Sequence, residues 1–159
     1  MLFSTGADIM YAVKRKIPWR LMAKEKFLEQ VKDLVNGAPY YRLLGIEVIT
    51  MEKGTSTLRL EFRKELTHPY GMMHGGAIAS LVDSAVAMAL ITLVDPSDRI
   101  TAIEFKVNFL APVTEGKLTA RAKIVHRGGR TAVGDVDVLD KKGNLIAKAI
   151  ATYSISKAT

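Results

Sequence analysis

The chain has 159 residues, 48% of them hydrophobic and 25% charged, which is ordinary globular usage and enough for one domain with a real core. It contains no cysteine, so disulfides, thiolate metal sites and thiol catalysis are excluded, and three widely spaced histidines (His68, His74 and His126) do not make a structural zinc site. The net charge of +7 lies at the two ends: residues 1–36 hold 7 basic and 4 acidic groups, residues 37–116 hold 7 and 9, and residues 117–159 hold 9 and 3. That balance suits a polyanionic partner, which could be a nucleotide-bearing small molecule, nucleic acid or a membrane surface; a merely basic surface accounts for it equally well.

The N-terminus lacks the apolar core of a signal peptide, so a cytoplasmic protein is expected. Tyr11–Val35 mixes Lys and Glu with apolar residues at a spacing that predicts one or two amphipathic helices, interrupted at Pro18 and stopped at Asn36-Gly37. This extension, residues 1–37, either packs on the domain that follows or meets a membrane surface or partner. From Tyr41 the signals are β. Leu44–Met51 is a predicted strand, Lys53-Gly54 a turn, and Leu58, Leu60 and Phe62 alternate with charged residues as a half-buried strand.

A long apolar helix is expected next, from His74 to about Val94. Ala77–Val94 has 18 residues and one charge, near the lower limit for a membrane span. Its Ala and Ser content, the central Asp83 and the alternating strands that follow argue for a buried helix instead. Four strands should follow: Ile100–Leu110, a second around Leu118–Ile124, Thr131–Leu139, and Leu145–Ile155. The last is apolar on both faces over Leu145–Ala151 and is expected to be central or interfacial. The order predicts an α+β domain, residues 38–159, with one antiparallel sheet wrapped around one hydrophobic helix.

The chemistry concentrates in residues 68–94. A Gly-rich turn, His74-Gly75-Gly76, opens the apolar helix, and an ionised carboxylate inside such a run is costly unless it is paired or used. The first N–H groups of a helix have no intrahelical partner and carry partial positive charge, so the amide of Gly75 or Gly76 could stabilise a developing oxyanion. Asp83 follows His74 by nine residues, about 13 Å along the axis and about half a turn around it. One chain therefore cannot easily bring both to one reacting atom, whereas two antiparallel copies could. A structural reading of Asp83 is a helix carboxylate bonded to Ser80, Ser84 or nearby backbone.

Gly71-Met72-Met73-His74-Gly75-Gly76, followed by Leu81-Val82-Asp83 and Ala85, resembles the hotdog-fold acyl-CoA thioesterases, most nearly the phenylacetate-degradation group. Residues 103–112 (IEFKVNFLAP) are similar to that family's strand after the helix, and Gly129-Arg130-Thr131 to its later strand turn. The resemblance spans about residues 38–156.

It implies hydrolysis of an acyl-CoA thioester at a dimer interface, with no cofactor beyond the CoA of the substrate and no metal. Gly75 would supply the oxyanion N–H, His74 would orient it, and Asp83 of the other chain would act as general base or nucleophile. Gly76, Met73, Thr101 and Thr131 would touch substrate. Arg127, Gly129 and Arg130 would form a turn whose cations suit the CoA phosphates.

Two positions depart from the pattern: His68 stands where many relatives have Asn, and Ala102 where some have Ser. His68 could still donate a hydrogen bond to the thioester or the water. His126, at a strand end, reads as a surface histidine. A homodimer that pairs again into a tetramer is implied, and nucleic acid is not expected as a partner. Two other functions fit the same fold: a non-enzymatic acyl-CoA sensor whose basic N-terminus binds DNA, and a hydratase or dehydratase acting on acyl thioesters. The latter usually pairs a loop His with a helix Glu, which this chain lacks.

Overall fold

The structure is a computed structural model and describes residues 24–157. The expected helical segment before Lys24, with its break at Pro18, lies outside the described residues. Helix α1, Lys24–Asn36, places Phe27, Val31 and Val35 one turn apart on a single stripe, and all three are buried in the common core. Its last residue also serves the sheet. The Asn36 side chain accepts from Val48 N–H (2.8 Å) and donates to Val48 C=O (3.3 Å), while Lys32 Nζ donates to Ile49 C=O (2.7 Å). These side chains satisfy backbone groups on an edge strand, where no further strand is available to do so.

A short helix α2, Pro39–Leu44, occupies residues read as β from Tyr41 and includes Leu44, the expected start of the first strand, which begins instead at Ile46. Proline in the first turn and left-handed Gly45 (φ 77°), whose N–H bonds Tyr41 C=O, supply both ends. Six residues are too few for a helical period to show in the sequence.

Strands β1 (Ile46–Glu52) and β2 (Thr55–Glu61) form a hairpin through Lys53-Gly54. Helix α3, Gly75–Ile91, then crosses the sheet. It ends three residues before the expected Val94, where Thr92 Oγ1 donates to Ala89 C=O and accepts from Gly54 N–H, both at 2.7 Å. Four strands follow: β3 (Arg99–Phe109), β4 (Lys117–Arg127), β5 (Thr131–Leu139) and β6 (Leu145–Ser156). All pair antiparallel in the order β1-β2-β4-β5-β6-β3. The doubly apolar β6 is thus an interior strand.

Helix α3 is buried on nearly every side, from Ala77 to Ile91. Its approach to the sheet depends on Gly134 of β5, where an added Cβ would fall 2.5 Å from Val86 Cγ1. Val86 is fully buried and has nowhere to go. Gly134→Ala is therefore expected to destabilise the fold by about 1–3 kcal/mol, read as a lower urea midpoint at an unchanged slope.

The edge strand β3 is different. Residues paired across an antiparallel ladder share a face, so Ala102, Phe105, Val107 and Phe109 share the helix-side face with Tyr153, Ala151, Ala149 and Ala147 of β6. The β6 residues are buried, yet on the edge strand Phe105 is 44% and Phe109 53% exposed. Ile103 at the bulge and Leu110 beyond the strand add to this uncovered apolar row.

Candidate active site

The start of α3 is held from three directions. Met73 N–H bonds Val113 C=O (2.8 Å), His74 N–H bonds Leu66 C=O (2.7 Å), and Thr67 bridges Met73. The turn before it closes through Gly71 N–H to His68 C=O (2.9 Å), with Gly71 at φ 79°, a conformation that favours glycine. His74 is the N-cap: its Nδ1 accepts from Gly76 N–H at 2.8 Å.

This separates the two glycines that the sequence left as alternatives. The amide of Gly76 is already bonded to His74. A Cβ on Gly76 would lie 2.9 Å from His74 Nδ1, so this glycine makes room for the cap. Gly75 N–H, by contrast, bonds to no described residue. A Cβ on Gly75 would stand 3.1 Å from Phe109 Cζ, so the backbone runs close beneath that ring.

Beside Gly75 opens a cavity of about 350 Å³, lined by His68, Met72, Met73, Ile78, Phe109 and neighbouring residues up to Val113. The structure thus brings His68, Met73 and Gly75 together. His68 is half-buried, and its ring packs edge-on against Tyr70 (centroids 5.6 Å apart). Its Nδ1 accepts from Tyr70 N–H at 3.2 Å, so a neutral His68 carries its hydrogen on Nε2 as a donor.

Asp83 lies eight residues along α3 from Gly75, about 12 Å of helical rise, and does not line this cavity. It is half-buried. Its carboxylate Oδ1 accepts from the Tyr153 hydroxyl, which also sits 2.9 Å from Asp83 C=O. The alternative partners do other work: Ser80 Oγ bonds Gly76 C=O (2.9 Å) and meets Tyr40 OH (2.7 Å).

Two tyrosines flank the carboxylate. Burial pushes Tyr41 up to about 12; a hydrogen bond with Ser84 opposes this and the Asp83 charge adds to it. Burial, then the Asp83 charge and the hydrogen bond to it, hold Tyr153 well above the ordinary phenol range. Sequence reasoning missed both. Tyr41 belongs to the unforeseen α2, and Tyr153 reads as one more inward position of β6. The available signal was that Tyr153 carries a hydroxyl on a helix-side row otherwise made of Ala147, Ala149, Ala151 and Ile155.

The remaining expected contacts form a separate group. Thr101 and Thr131 both pair with Ser154, so β3, β5 and β6 align them on one face. Arg127, Gly129 and Arg130 are exposed at the β4–β5 turn, closed by Gly128 N–H to Thr131 C=O (2.8 Å). Ser154 adjoins Tyr153, so this group lies at the Asp83 end of the sheet. The cavity lies at the other end of β3: Thr101 and Phe109 are eight residues apart, about 26 Å of strand. Within one chain, the two halves of the expected site do not meet. His126 is an exposed strand residue beside the bulge in β4.

The family model of the thioesterase superfamily matches residues 70–147. A Saccharolobus solfataricus protein provisionally named an esterase is 36% identical over 132 residues, covering 83% of this chain and 87% of that one. The chain belongs to the thioesterase superfamily. A further relative is the 1,4-dihydroxy-2-naphthoyl-CoA hydrolase of Listeria monocytogenes, 28% identical over 72% of this chain and 93% of its own. Among solved structures, a mutant of the phenylacetic acid degradation protein PaaI from Thermus thermophilus aligns with a TM-score of 0.68 at 29% identity, covering 74% of this chain and 98% of that one.

The six-stranded sheet around α3 is the hotdog fold of this superfamily. The span matched to the superfamily contains the His74 cap, Gly75 and Asp83 but not His68, Tyr41 or Tyr153. No described helix is long and apolar enough to cross a membrane.

Proposed function

We propose that this chain is a cytoplasmic acyl-CoA thioesterase whose active site is shared between two chains of a homodimer. The observation that carries this reading is the division of the site. Gly75, whose N–H bonds no described residue, lines an apolar cavity at one end of β3, and the carboxylate of α3 lies with the basic turn at the other. An antiparallel pairing of two β3 edges would set one chain's Gly75 against the partner chain's Asp83 and cover the exposed Phe105 and Phe109 rings. Edge-to-edge pairing also satisfies the open hydrogen-bonding groups of β3. By family resemblance, such dimers pair again into tetramers.

In this mechanism the thioester carbonyl accepts a hydrogen bond from Gly75 N–H, which strengthens as negative charge grows on the oxygen. His74 orients that amide through its cap on the same turn. Asp83 of the other chain takes a proton from water as the water oxygen attacks the carbonyl carbon. The tetrahedral intermediate collapses with loss of the CoA thiolate, and the proton held by Asp83 passes to the sulfur. The net reaction consumes water and yields acid and CoA. It needs no cofactor or metal. Met72, Met73 and Phe109 suit an aryl or an aliphatic acyl group. Thiol release from a panel of acyl-CoA thioesters, followed with a thiol reagent, tests the reading; no release from any acyl class would end it and leave the acyl-CoA sensor.

His68 is assigned to the thioester carbonyl or the water through its Nε2–H. His68→Asn keeps a short donor and is expected to retain activity, whereas His68→Ala should lose about tenfold in kcat/KM. Equal activity in all three proteins would mark His68 as a bystander.

Arg127 and Arg130 are assigned to the CoA phosphates. A remote phosphate contact is alike in ground and transition states, so Arg130→Ala should raise KM for acyl-CoA and leave kcat near its original value. The same variant should behave like wild type on acyl-pantetheine, and added salt should narrow the difference on acyl-CoA. An equal effect on both substrates would mean that Arg130 acts through the fold.

A further inference from the structure

We propose that Tyr153 is a positioning residue for Asp83: its hydroxyl holds carboxylate oxygen Oδ1 and leaves Oδ2 as the one oxygen that receives the proton from water. This rests on the reading of Asp83 as the general base. A phenol has one hydrogen, and the charged Oδ1 is a stronger acceptor than the neighbouring Asp83 C=O, which in mid-helix already serves its own ladder. Contact from one rigid atom to both the main chain and the side chain of Asp83 fixes the direction of the carboxylate. Tyr153 is itself fixed, being 3% exposed on the interior strand β6.

The alternative is that Tyr153 merely fills space. A phenylalanine would fill the same space without a buried hydroxyl to satisfy, and the other helix-side positions of β6 carry no polar side-chain atom. Among the described residues no cation pairs with Asp83, and no donor other than Tyr153 bonds its carboxylate. The titratable groups set around it are Tyr153 from β6 and Tyr41 from α2; its neighbours on α3, Ser80 and Ser84, do not titrate. Both phenols stay protonated through neutral pH, so Tyr153 remains a donor wherever the enzyme works. Oδ2 bonds no described residue and is not sealed from solvent.

A hydroxyl that donates to an ionised carboxylate favours that form, and its removal withdraws that stabilisation. Tyr153→Phe is therefore expected to move the acid limb of the kcat profile upward by about one pH unit, and to lower the plateau kcat about tenfold with KM little changed. Placing 3-fluorotyrosine at position 153 makes the phenol a stronger donor at nearly the same size, and should move that limb downward.

Opposite shifts from two ring-preserving changes are not expected of a residue that only packs. Both proteins are compared with Asp83→Asn by thiol release from the best acyl-CoA. An inactive Asp83→Asn beside an unmoved limb in the position-153 proteins would overturn the Tyr153 assignment alone. An active Asp83→Asn would overturn the general-base reading, and the Tyr153 assignment with it. Should Tyr153→Phe fail to fold, the fluorotyrosine protein carries the same test, and an unmoved limb in it overturns the assignment.

Discussion

Asp83→Asn is expected to lower kcat by about a thousandfold while the protein stays folded. The carboxamide has the shape of the carboxylate and its oxygen can still accept from the Tyr153 hydroxyl, so the packing around α3 is kept. What it cannot do is take a proton, and removing a positioned general base typically costs about 10²–10⁴ in rate. The loss should fall on kcat, because a general base acts on water in the transition state and not on substrate binding. Initial rates at saturating acyl-CoA, with circular dichroism and gel filtration as controls for fold and assembly, measure this. Activity within a few-fold of wild type would end the assignment.

The second large effect is expected from Gly75→Pro, which deletes the proposed oxyanion donor while leaving the helix. Gly75 is the first residue of α3, and proline is favoured there because that N–H has no intrahelical partner. The preceding residue must be extended, and His74 already is, at φ −65° and ψ 135°. The nearest obstacle is the Phe109 ring, half-exposed and free to shift by a few tenths of an ångström. Loss of one oxyanion donor should reduce kcat about 10²–10³-fold.

Mixing the Gly75→Pro and Asp83→Asn chains adds a decisive arm. A heterodimer of the two holds one site with both changes and one with neither, so activity should reappear on co-refolding. Heterodimers that form and remain inactive would rule out a site shared between chains.

Much of the fold was legible because it repeats a period. The strand Thr131–Leu139 is legible at both ends because Val136 and Val138 alternate with Asp135 and Asp137, since period-two burial on one sheet face writes itself into the residues. Helix α3 was legible as an apolar run after a Gly-rich turn. Its end is not legible, because Leu93 and Val94 continue the apolar pattern while Thr92 closes the helix by bonding Ala89 and Gly54, the latter 38 residues away. Helix α2 carried its marks in Pro39 and Gly45, but six residues give no period. As for α1, amphipathicity says that a face is buried and not against what; Phe27, Val31 and Val35 turn out to belong to the core of the domain.

The site divides in the same way. The residue types and their spacing along one helix were enough to single out His74, Gly75 and Asp83 and to argue that Gly75 and Asp83 cannot serve one atom from one chain, because helical rise is a property of the local backbone. Which glycine keeps a free amide was not decidable locally; it depends on the rotamer by which His74 caps Gly76. Nor was the partner of Asp83. Tyr153 is 70 residues distant and reaches it only because β6 lies inside the sheet beneath α3. Nor, finally, was the exposed row on β3. Phe105 and Phe109 are apolar residues of a strand, and only the strand order, which sends β3 to the edge of the sheet, leaves them at the surface. Local spacing determined which groups this protein has; long-range pairing decided which of them are free to act.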